Sequence, residues 1–391
     1  MNLSDSLREA GLRSDVEHWL RSNLNDSRRE SIESAIVRGD SGPSRRWQRD
    51  LFEAGYAVRS WPKRYGGQEG SLSEDLILFE TLARHDAPDD IFRVGTRNIG
   101  PVLLQMGTGE QKDRLLAPTA EGTILWSQGF SEPGAGTDLA SLRSKAIRTD
   151  DGFVLQGQKV WNTFGHMADW CLLLMRSGDT DSRHRGLSAF AVPMTTPGIE
   201  VRPIAQISGR SDFNEVFLSD VEVPNSALIG EEGDGWKVAV KMLDFERRGL
   251  AAIGFDCMKV FRNLRRHVAE MRHTDGTELI NLPHVRRRIA ELSIQVRIAM
   301  LNNHRFAAMV PEGEAPGPEA SVQKLHATEL FKALHGTLAE LTLEAETTNN
   351  VAMLMPKIFE GYFGSFGFTI GGGTAQVQRN IIAERVLNLP K

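Results

Sequence analysis

Apolar residues recur at helical spacing through the first third of the chain. They do so at Leu51 to Tyr56, Leu76 to Ala83, Ile99 to Met106 and Gln111 to Leu116. Glycine and proline residues between the first two runs supply turns. The pattern therefore predicts an N-terminal helical domain over residues 1–125.

Short β-type runs replace the helical pattern from Trp126 onward. They alternate with turns and lie at Phe153 to Leu155, Trp170 to Met175, Leu187 to Val192 and Val216 to Val223. The dipeptide Asp151-Gly152 is typical of a hairpin turn. This part of the chain is predicted to be a small β domain over residues 126–229.

The helical period returns after the β region and continues to the end of the chain. Gly235 to Met271 is long enough for one extended helix or a broken pair, and Pro283 to Arg305 and Val322 to Glu346 predict two more helices. A C-terminal helical domain over residues 230–391 follows. The fold class is therefore α+β and multidomain, in the order helical, β, helical.

Charge and composition exclude several kinds of protein. The 391 residues carry a net charge of -5, which gives no electrostatic case for binding nucleic acid. No apolar run approaches the roughly 20 residues of a membrane span. Cys171 and Cys257 are two lone thiols, which make neither a disulfide framework nor a zinc site. We therefore expect a cytoplasmic protein without a metal centre and without a membrane or nucleic-acid partner.

One carboxylate interrupts the pattern of the helix that contains Asp244. At about 100° per residue, Glu246 falls on the apolar side of this helix, where a carboxylate is costly unless it is paired or neutral. The apolar residues of that side are Ala239, Met242, Leu243, Leu250, Ile253 and Cys257. Two interpretations stay open here: a buried ion pair, for example with Arg247, or a general base in an apolar pocket.

Two sequence motifs resemble the signatures of one enzyme family. The first is Trp-Ser-Gln-Gly-Phe-Ser-Glu-Pro-Gly-Ala-Gly-Thr-Asp from Trp126, followed by Gly-Gln-Lys-Val-Trp-Asn-Thr from Gly157. The second is Gly-Gly-Thr-Ala-Gln-Val-Gln-Arg-Asn-Ile-Ile from Gly372. Both resemble acyl-CoA dehydrogenases, and the resemblance covers nearly the whole chain. It implies a small β-barrel or sandwich in the middle and a C-terminal four-helix bundle.

The resemblance also implies FAD as the cofactor and an acyl-CoA as the substrate. Phe130 and Ser131 would contact the isoalloxazine ring, and Trp161 and Thr163 would lie against its other side. Thr137 matches a position that contacts CoA. The small residues before Thr137 would let the backbone approach a ligand closely.

The position of the catalytic base departs from the commonest family pattern. Many members carry a Glu immediately before the Gly-Thr of the second signature, where this chain has Gly372. A minority, similar to isovaleryl-CoA dehydrogenase, carry the base in a Leu-Glu-Arg-type motif, and Phe245-Glu246-Arg247 stands at the matching place. The resemblance thus implies that Glu246 removes the α proton and that the Gly372 N–H binds the thioester oxygen. Arg247 is expected to order the CoA end of the site.

The segment that would reach the far end of the flavin departs as well. Family members carry Arg-x-x-Phe-Gly with a later Gln, whereas Asp275 replaces the Phe here and Pro283 replaces the Gln. Arg272 is retained, and we expect it to bind FAD together with Thr374 of the second signature. A Gln-x-x-Gly-Gly loop that usually holds the adenine side is also missing. These changes resemble a bacterial branch that includes steroid side-chain degraders working as mixed tetramers.

The resemblance favours an active dehydrogenase that passes electrons to an electron-transfer flavoprotein. Its assembly would be a homotetramer or a heterotetramer with a related subunit. Two alternatives stay open: a non-catalytic partner subunit, which Gly372 favours, and an oxygen-using acyl-CoA oxidase or flavin monooxygenase of the same fold. No residue reports the length, branching or rings of the acyl group.

Overall fold

The computed structural model describes residues 5–88, 90–250, 252–309 and 317–390. Within these ranges the chain forms a group of helices, then a β-sheet, then a second group of helices. This order confirms the predicted α+β architecture of a helical, a β and a second helical part. None of the described helices is long and apolar enough to cross a membrane.

The described N-terminal part contains six α-helices. They are α1 (Leu7–Asn23), α2 (Asp26–Val37), α3 (Gly42–Glu53), α4 (Leu72–Arg84), α5 (Gly100–Met106) and α6 (Gly109–Glu121). The predicted helical run at 51–56 is only half helical, because α3 ends before Gly55, whose φ is 76°. The side-chain amide of Gln111, in the first turn of α6, donates to the carbonyls of Ser226 and Leu228 at 2.8 Å each. It thereby ties α6 to the end of the β-sheet.

The middle of the chain is an eight-stranded sheet. Its strands are β1 (Trp126–Gly129), β2 (Lys145–Arg148), β3 (Gly152–Thr163), β4 (Trp170–Arg176), β5 (Leu187–Pro193), β6 (Ile199–Pro203), β7 (Phe213–Pro224) and β8 (Leu228–Ile229). The strand order is β6-β7-β3-β2-β4-β5-β8, with β1 parallel to β4. The predicted hairpin is confirmed, since β2 and β3 are antiparallel and meet at residues 149–151.

Strand β3 is much longer than the predicted run at its start. It has twelve residues, and its pairing with β7 is interrupted twice, once near Gly157 and once between Lys159 and Asn162. These irregularities and the buried polar side chains of Lys159 and Asn162 hide the strand from an alternation rule. The second irregularity places Trp161 on the edge of the site described below.

The C-terminal part is again helical within the described residues. Its helices are α7 (Gly235–Leu250), α8 (Ile253–Glu270), α9 (Pro283–Met309), α10 (Ala320–Glu344), α11 (Asn349–Phe368) and α12 (Ala375–Ile381). The run from 235 to 271 is therefore a broken pair of helices. Helices α8, α9, α10 and α11 pack around a common apolar cluster, which confirms the four-helix bundle. Sequence reasoning missed α11, whose Pro356 and three glycines lower its helical propensity.

Helix α7 is packed into the core that the sheet shares with the N-terminal helices. Its buried residues Ala239, Met242 and Phe245 belong to one apolar cluster with Phe130 and with Leu172 of β4. The side chains on the other side of β4 belong to a second apolar cluster, which they form with residues of β3, β5 and β7. Since β4 is buried on both sides, it holds α7 and the end of β1 in fixed relation.

Two glycines at the first position of a helix differ sharply in their surroundings. A β-carbon added at Gly100 would lie 2.1 Å from the buried Trp61 ring, whereas one added at Gly109 would meet nothing within 4 Å. Gly100→Ala should therefore lower the free energy of unfolding by about 1–3 kcal/mol through overpacking. Gly109→Ala should leave it unchanged or raise it by up to about 1 kcal/mol. Urea unfolding of both variants measures the contrast, and equal effects would contradict this packing.

Candidate active site

The turn that follows β1 is anchored by a buried ion pair. Lys159 Nζ lies 2.8 Å from Glu132 Oε1, and the two side chains are only 0% and 9% exposed. The same ammonium donates to the carbonyl of Phe130 at 3.3 Å. Glu132 also accepts the backbone N–H groups of Arg143 and Ser144 at 2.7 and 2.8 Å. The pair thereby fixes the backbone on both sides of Ser131.

Ionisation of the pair follows from competing effects. Burial alone raises the pKa of Glu132, but the Lys159 ammonium and the hydrogen bonds from Ser144 and Arg143 outweigh it and hold that pKa below its ordinary value. Burial lowers the pKa of Lys159, and Glu132 opposes this fall. Sequence reasoning did not select either residue. The signal that could have selected the pair was Lys159 itself, a charged residue within a strand that also carries buried apolar residues.

Trp161 has a strained backbone and an exposed side chain. Its φ is 64°, in the left-handed region that a bulky residue rarely adopts, and 56% of its surface is accessible. Its ring packs edge-on against Phe213 with centroids 6.0 Å apart. Such strain costs on the order of 1–3 kcal/mol and is typical of ligand-binding positions. The structure thus presents a large aromatic surface beside the turn that carries Phe130 and Ser131, since the N–H of Val160 donates to the Ser131 carbonyl at 2.9 Å.

A cavity of about 440 Å³ begins beside Thr163 and runs between all three parts of the chain. Its walls combine aromatic with polar and charged side chains, and Phe79, Phe92, Phe213, Phe331 and Phe368 are among the aromatic ones. Cavities of this size and character bind small molecules and cofactors.

Three of the polar residues that line this cavity bear on ligand binding. Gln206 Nε2 is buried without a hydrogen-bond partner among the residues that the structure describes. Burial lowers the pKa of His335 to about 4, so that its ring is neutral near pH 7. Arg210 binds Asp212 at 2.6 Å and Glu360 of α11 at 3.2 Å, which links the sheet to the bundle at the cavity wall. The buried Gln206 donor is therefore positioned to bind a ligand.

Glu246 occupies an unusual position on α7. It shares one side of the helix with Ala239 and Met242, which are both 0% exposed, yet it is itself half-buried. The packing therefore opens at the level of the carboxylate. The predicted placement of Glu246 on the apolar side of this helix is confirmed, and the residue stays partly accessible to solvent.

A lysine connects Glu246 to the second signature. Lys324 of α10 is 1% exposed, and its ammonium contacts the carbonyl of Gly373. Burial lowers the pKa of Lys324 to about 8, and the carboxylates of Glu246 and Glu329 oppose this fall. Gly372 and Gly373 both have positive φ, 64° and 92°. Lys324, which sequence reasoning had not selected, thus contacts the second signature at Gly373 and lies within electrostatic reach of Glu246.

Two other predicted site residues have structural partners of their own. Thr374 caps α12, since its hydroxyl accepts the N–H of Val377 at 3.2 Å. Arg272 lies in the connection between α8 and α9, where its guanidinium donates to the Gly276 carbonyl at 3.0 Å and to Glu278 at 3.1 Å. Binding of FAD by either residue stays a prediction.

Of the two residues predicted to bind substrate, Thr137 lies in the turn after β1 and Arg247 lies on α7. Thr137 is exposed, two residues from Ala135, which lines a cleft together with Glu132, Gly134 and Arg143. Arg247 follows Glu246 on α7, but its side chain lies outside the described part of the structure. Contact of either residue with CoA stays a prediction.

Comparison with protein-family models matches most of the chain. The acyl-CoA dehydrogenase N-terminal domain matches residues 9–123, the middle domain residues 127–221 and the C-terminal domain residues 233–387. Among curated proteins, acyl-CoA dehydrogenase IpdE1 of Mycobacterium tuberculosis is 36% identical over 397 residues, which cover 97% of each chain.

Solved structures match over the full length. The ChsE4-ChsE5 complex from Mycobacterium tuberculosis aligns with a TM-score of 0.85 and 31% identity, covering 100% of both chains. The Tcur3481-Tcur3483 steroid ACAD aligns with a TM-score of 0.87 and 29% identity, again over 100% of both chains.

The Lys159–Glu132 pair yields a prediction about stability. Lys159→Met should lower the free energy of unfolding by about 3–5 kcal/mol, because it leaves a buried carboxylate without its partner. Adding Glu132→Gln should restore part of the loss, so that the two changes are not additive. Denaturant unfolding of the single and double variants measures this coupling, and additive losses would contradict it.

The same pair sets a pH dependence. Because the pKa of Glu132 is held below its ordinary value of 4.5, its stabilisation is complete above that pH and is lost as the pH falls through the lowered value. Glu132→Gln should remove this part of the acid sensitivity.

Proposed function

Because the chain belongs to the acyl-CoA dehydrogenase family, we propose that it removes one hydrogen from each of the α and β carbons of a CoA thioester. The product would be the trans-2-enoyl-CoA. The observation that carries this proposal is that Lys324, whose ammonium contacts the Gly373 carbonyl, is also within electrostatic reach of Glu246 on α7. A carboxylate at an opening in an apolar core is suited to removing a proton next to a carbonyl, and the glycines of the nearby loop adopt its positive φ angles without strain.

The family uses FAD, and the residues present fit that cofactor. The exposed ring of Trp161 offers a flat surface, and its strained backbone is fixed by neighbouring strands. Gln206 supplies a buried donor without a described partner, and the cavity beside Thr163 offers room for a ring system. We assign flavin contacts to Phe130, Ser131, Trp161 and Thr163. When bound, FAD supplies the two-electron acceptor for the β hydrogen.

Glu246 performs the acid–base part of the proposed reaction. One carboxylate oxygen takes the α proton, and the electron pair of that C–H bond becomes the second bond between the α and β carbons. The nearby Lys324 ammonium favours the charged form of Glu246, which is the form that accepts a proton. The backbone N–H of Gly372 would donate to the thioester oxygen, where negative charge develops. That role needs no side chain, so a glycine fills it.

The substrate class and the partners form part of the proposal. Similarity to a protein described as a steroid ACAD supports a bulky, ring-containing acyl group. We propose that electrons leave to an electron-transfer flavoprotein and that the assembly is a homotetramer or a heterotetramer with a related subunit. We place the protein in the cytoplasm, where the buried thiols of Cys171 and Cys257 would remain reduced.

A second candidate function is a non-catalytic subunit of a mixed assembly. Gly372 favours it, because many members of the family carry their base at that position. Similarity to structures named for two components, ChsE4-ChsE5 and Tcur3481-Tcur3483, also fits this alternative. The partly accessible Glu246 and the strained Trp161 favour the active enzyme instead.

Replacement of Glu246 tests the base directly. Glu246→Gln should lower kcat by about 10²–10⁴-fold, because the amide cannot accept the α proton, while the flavin absorption stays unchanged. Glu246→Asp should keep part of the activity, since it retains a carboxylate at a greater distance. Anaerobic dye reduction by substrate measures both variants. Full turnover by Glu246→Gln would exclude this residue as the base.

The visible spectrum of the purified protein separates the two candidate functions. An active dehydrogenase should show oxidised flavin bands that bleach when acyl-CoAs are added without oxygen, steroid-type thioesters among them. A chain that stays colourless after addition of FAD, and gains flavin only with a related subunit, would favour the non-catalytic role. Oxygen consumption in place of dye reduction would identify an oxidase.

A further inference from the structure

Lys324 is a buried cation that the proposed mechanism does not need as a reacting group. It lies on α10 with 1% of its surface exposed. An ammonium in an apolar interior is costly unless other groups compensate for the lost water. Burial accordingly lowers the pKa of Lys324 to about 8, although Glu246 and Glu329 both act to raise it. A lysine retained at such a place points to a role in the site.

The ammonium binds the loop that carries Gly372. It contacts the carbonyl of Gly373, and the side-chain amide of Gln378 donates to the carbonyls of Gly372 and Gly373 at 3.1 and 3.2 Å. Because each peptide unit is planar, holding these carbonyls fixes the two peptide planes that follow Gly372 and Gly373. Both glycines have positive φ, a region in which glycine by itself has little conformational preference. The loop therefore depends on these side chains for its shape.

The same ammonium also acts on Glu246. Among the described groups, the charges whose fields reach Lys324 are the Glu246 carboxylate on α7 and the Glu329 carboxylate on α10 itself. Glu329 already binds Lys332 at 2.7 Å. Lys324 therefore contacts the glycine loop and is within electrostatic reach of the proposed base.

We propose that Lys324 is the positioning residue of this active site, where its ammonium fixes the Gly372–Gly373 loop and holds Glu246 in its charged form. This inference rests on the proposed function of Glu246 as the base. It adds a cation on α10, which holds the proposed base on α7 and the glycine loop before α12 in fixed relative positions. Lys324 itself exchanges no proton with the substrate.

The two actions of Lys324 can be separated by substitution. Lys324→Gln keeps a donor for the Gly373 carbonyl and removes the charge. Lys324→Met removes both, and Lys324→Arg keeps the charge with a different shape. A carboxylate that loses a neighbouring cation binds its proton more tightly, so the acid limb of the kcat/KM profile should move to higher pH by about one unit in Lys324→Gln. Lys324→Met should show the same shift with a further fall in kcat, and Lys324→Arg should return the limb toward its original position.

Three measurements on the flavin-loaded protein test whether Lys324 acts on both the glycine loop and Glu246. They are the pH profile of kcat/KM, the flavin content, and the free energy of unfolding of Lys324→Gln with and without Glu246→Gln. The cost of Lys324→Gln on unfolding should be smaller in the Glu246→Gln background, because the carboxylate that needs the cation is gone. Lys332→Gln, on the same helix but paired with Glu329, is the matched control and should leave the acid limb in place.

An unmoved acid limb in Lys324→Gln, with activity lost equally at every pH, would overturn the proposal and leave Lys324 a structural residue. Equal unfolding costs in the two backgrounds would overturn it as well, and this holds even if a variant loses turnover. Failure of the proposed function looks different, because either Glu246→Gln would then retain full turnover or the unsubstituted protein would show none, whatever happens at Lys324.

Discussion

The packing of α7 against β4, on the side of the strand that carries Leu172, is the constraint on which the site depends. Phe245 and Met242 are held in the same apolar cluster as Leu172 and Phe130, so the helix cannot rotate without opening the core. Glu246 follows Phe245 directly and emerges where this packing opens. Phe130, which begins the predicted flavin-binding turn, and Phe245, which precedes the proposed base, thus belong to one cluster. A large change at either residue would disturb the positions of both.

Much of this arrangement could be predicted from local sequence. The periodicity predicts the order of the three parts, and helical spacing alone places Glu246 on the wrong side of its helix. The two signatures select Phe130, Trp161 and Gly372. These features are readable because each depends on residues close together in the chain, where spacing translates directly into geometry.

The groups that were missed depend on partners far away in sequence. Lys159 pairs with Glu132, which lies 27 positions earlier in the sequence, and Lys324 contacts Gly373, which lies 49 positions later. In the sequence each appears as one lysine among many, and a pattern of period two or 3.6 gives it no special status. Helix α11 was missed for a different reason, because packing against α10 stabilises a stretch whose glycines and proline disfavour a helix.

The left-handed backbone at Gly372 also bears on how this site can evolve. With φ at 64°, any residue with a β-carbon is strained there, by roughly 1–2 kcal/mol. A single codon change to an acidic residue would therefore not simply place a carboxylate in the loop, since the peptide held by Gln378 would have to turn as well. A base on α7, as proposed for Glu246, leaves this loop to contribute backbone groups alone, so that no side chain is needed where the left-handed backbone disfavours one.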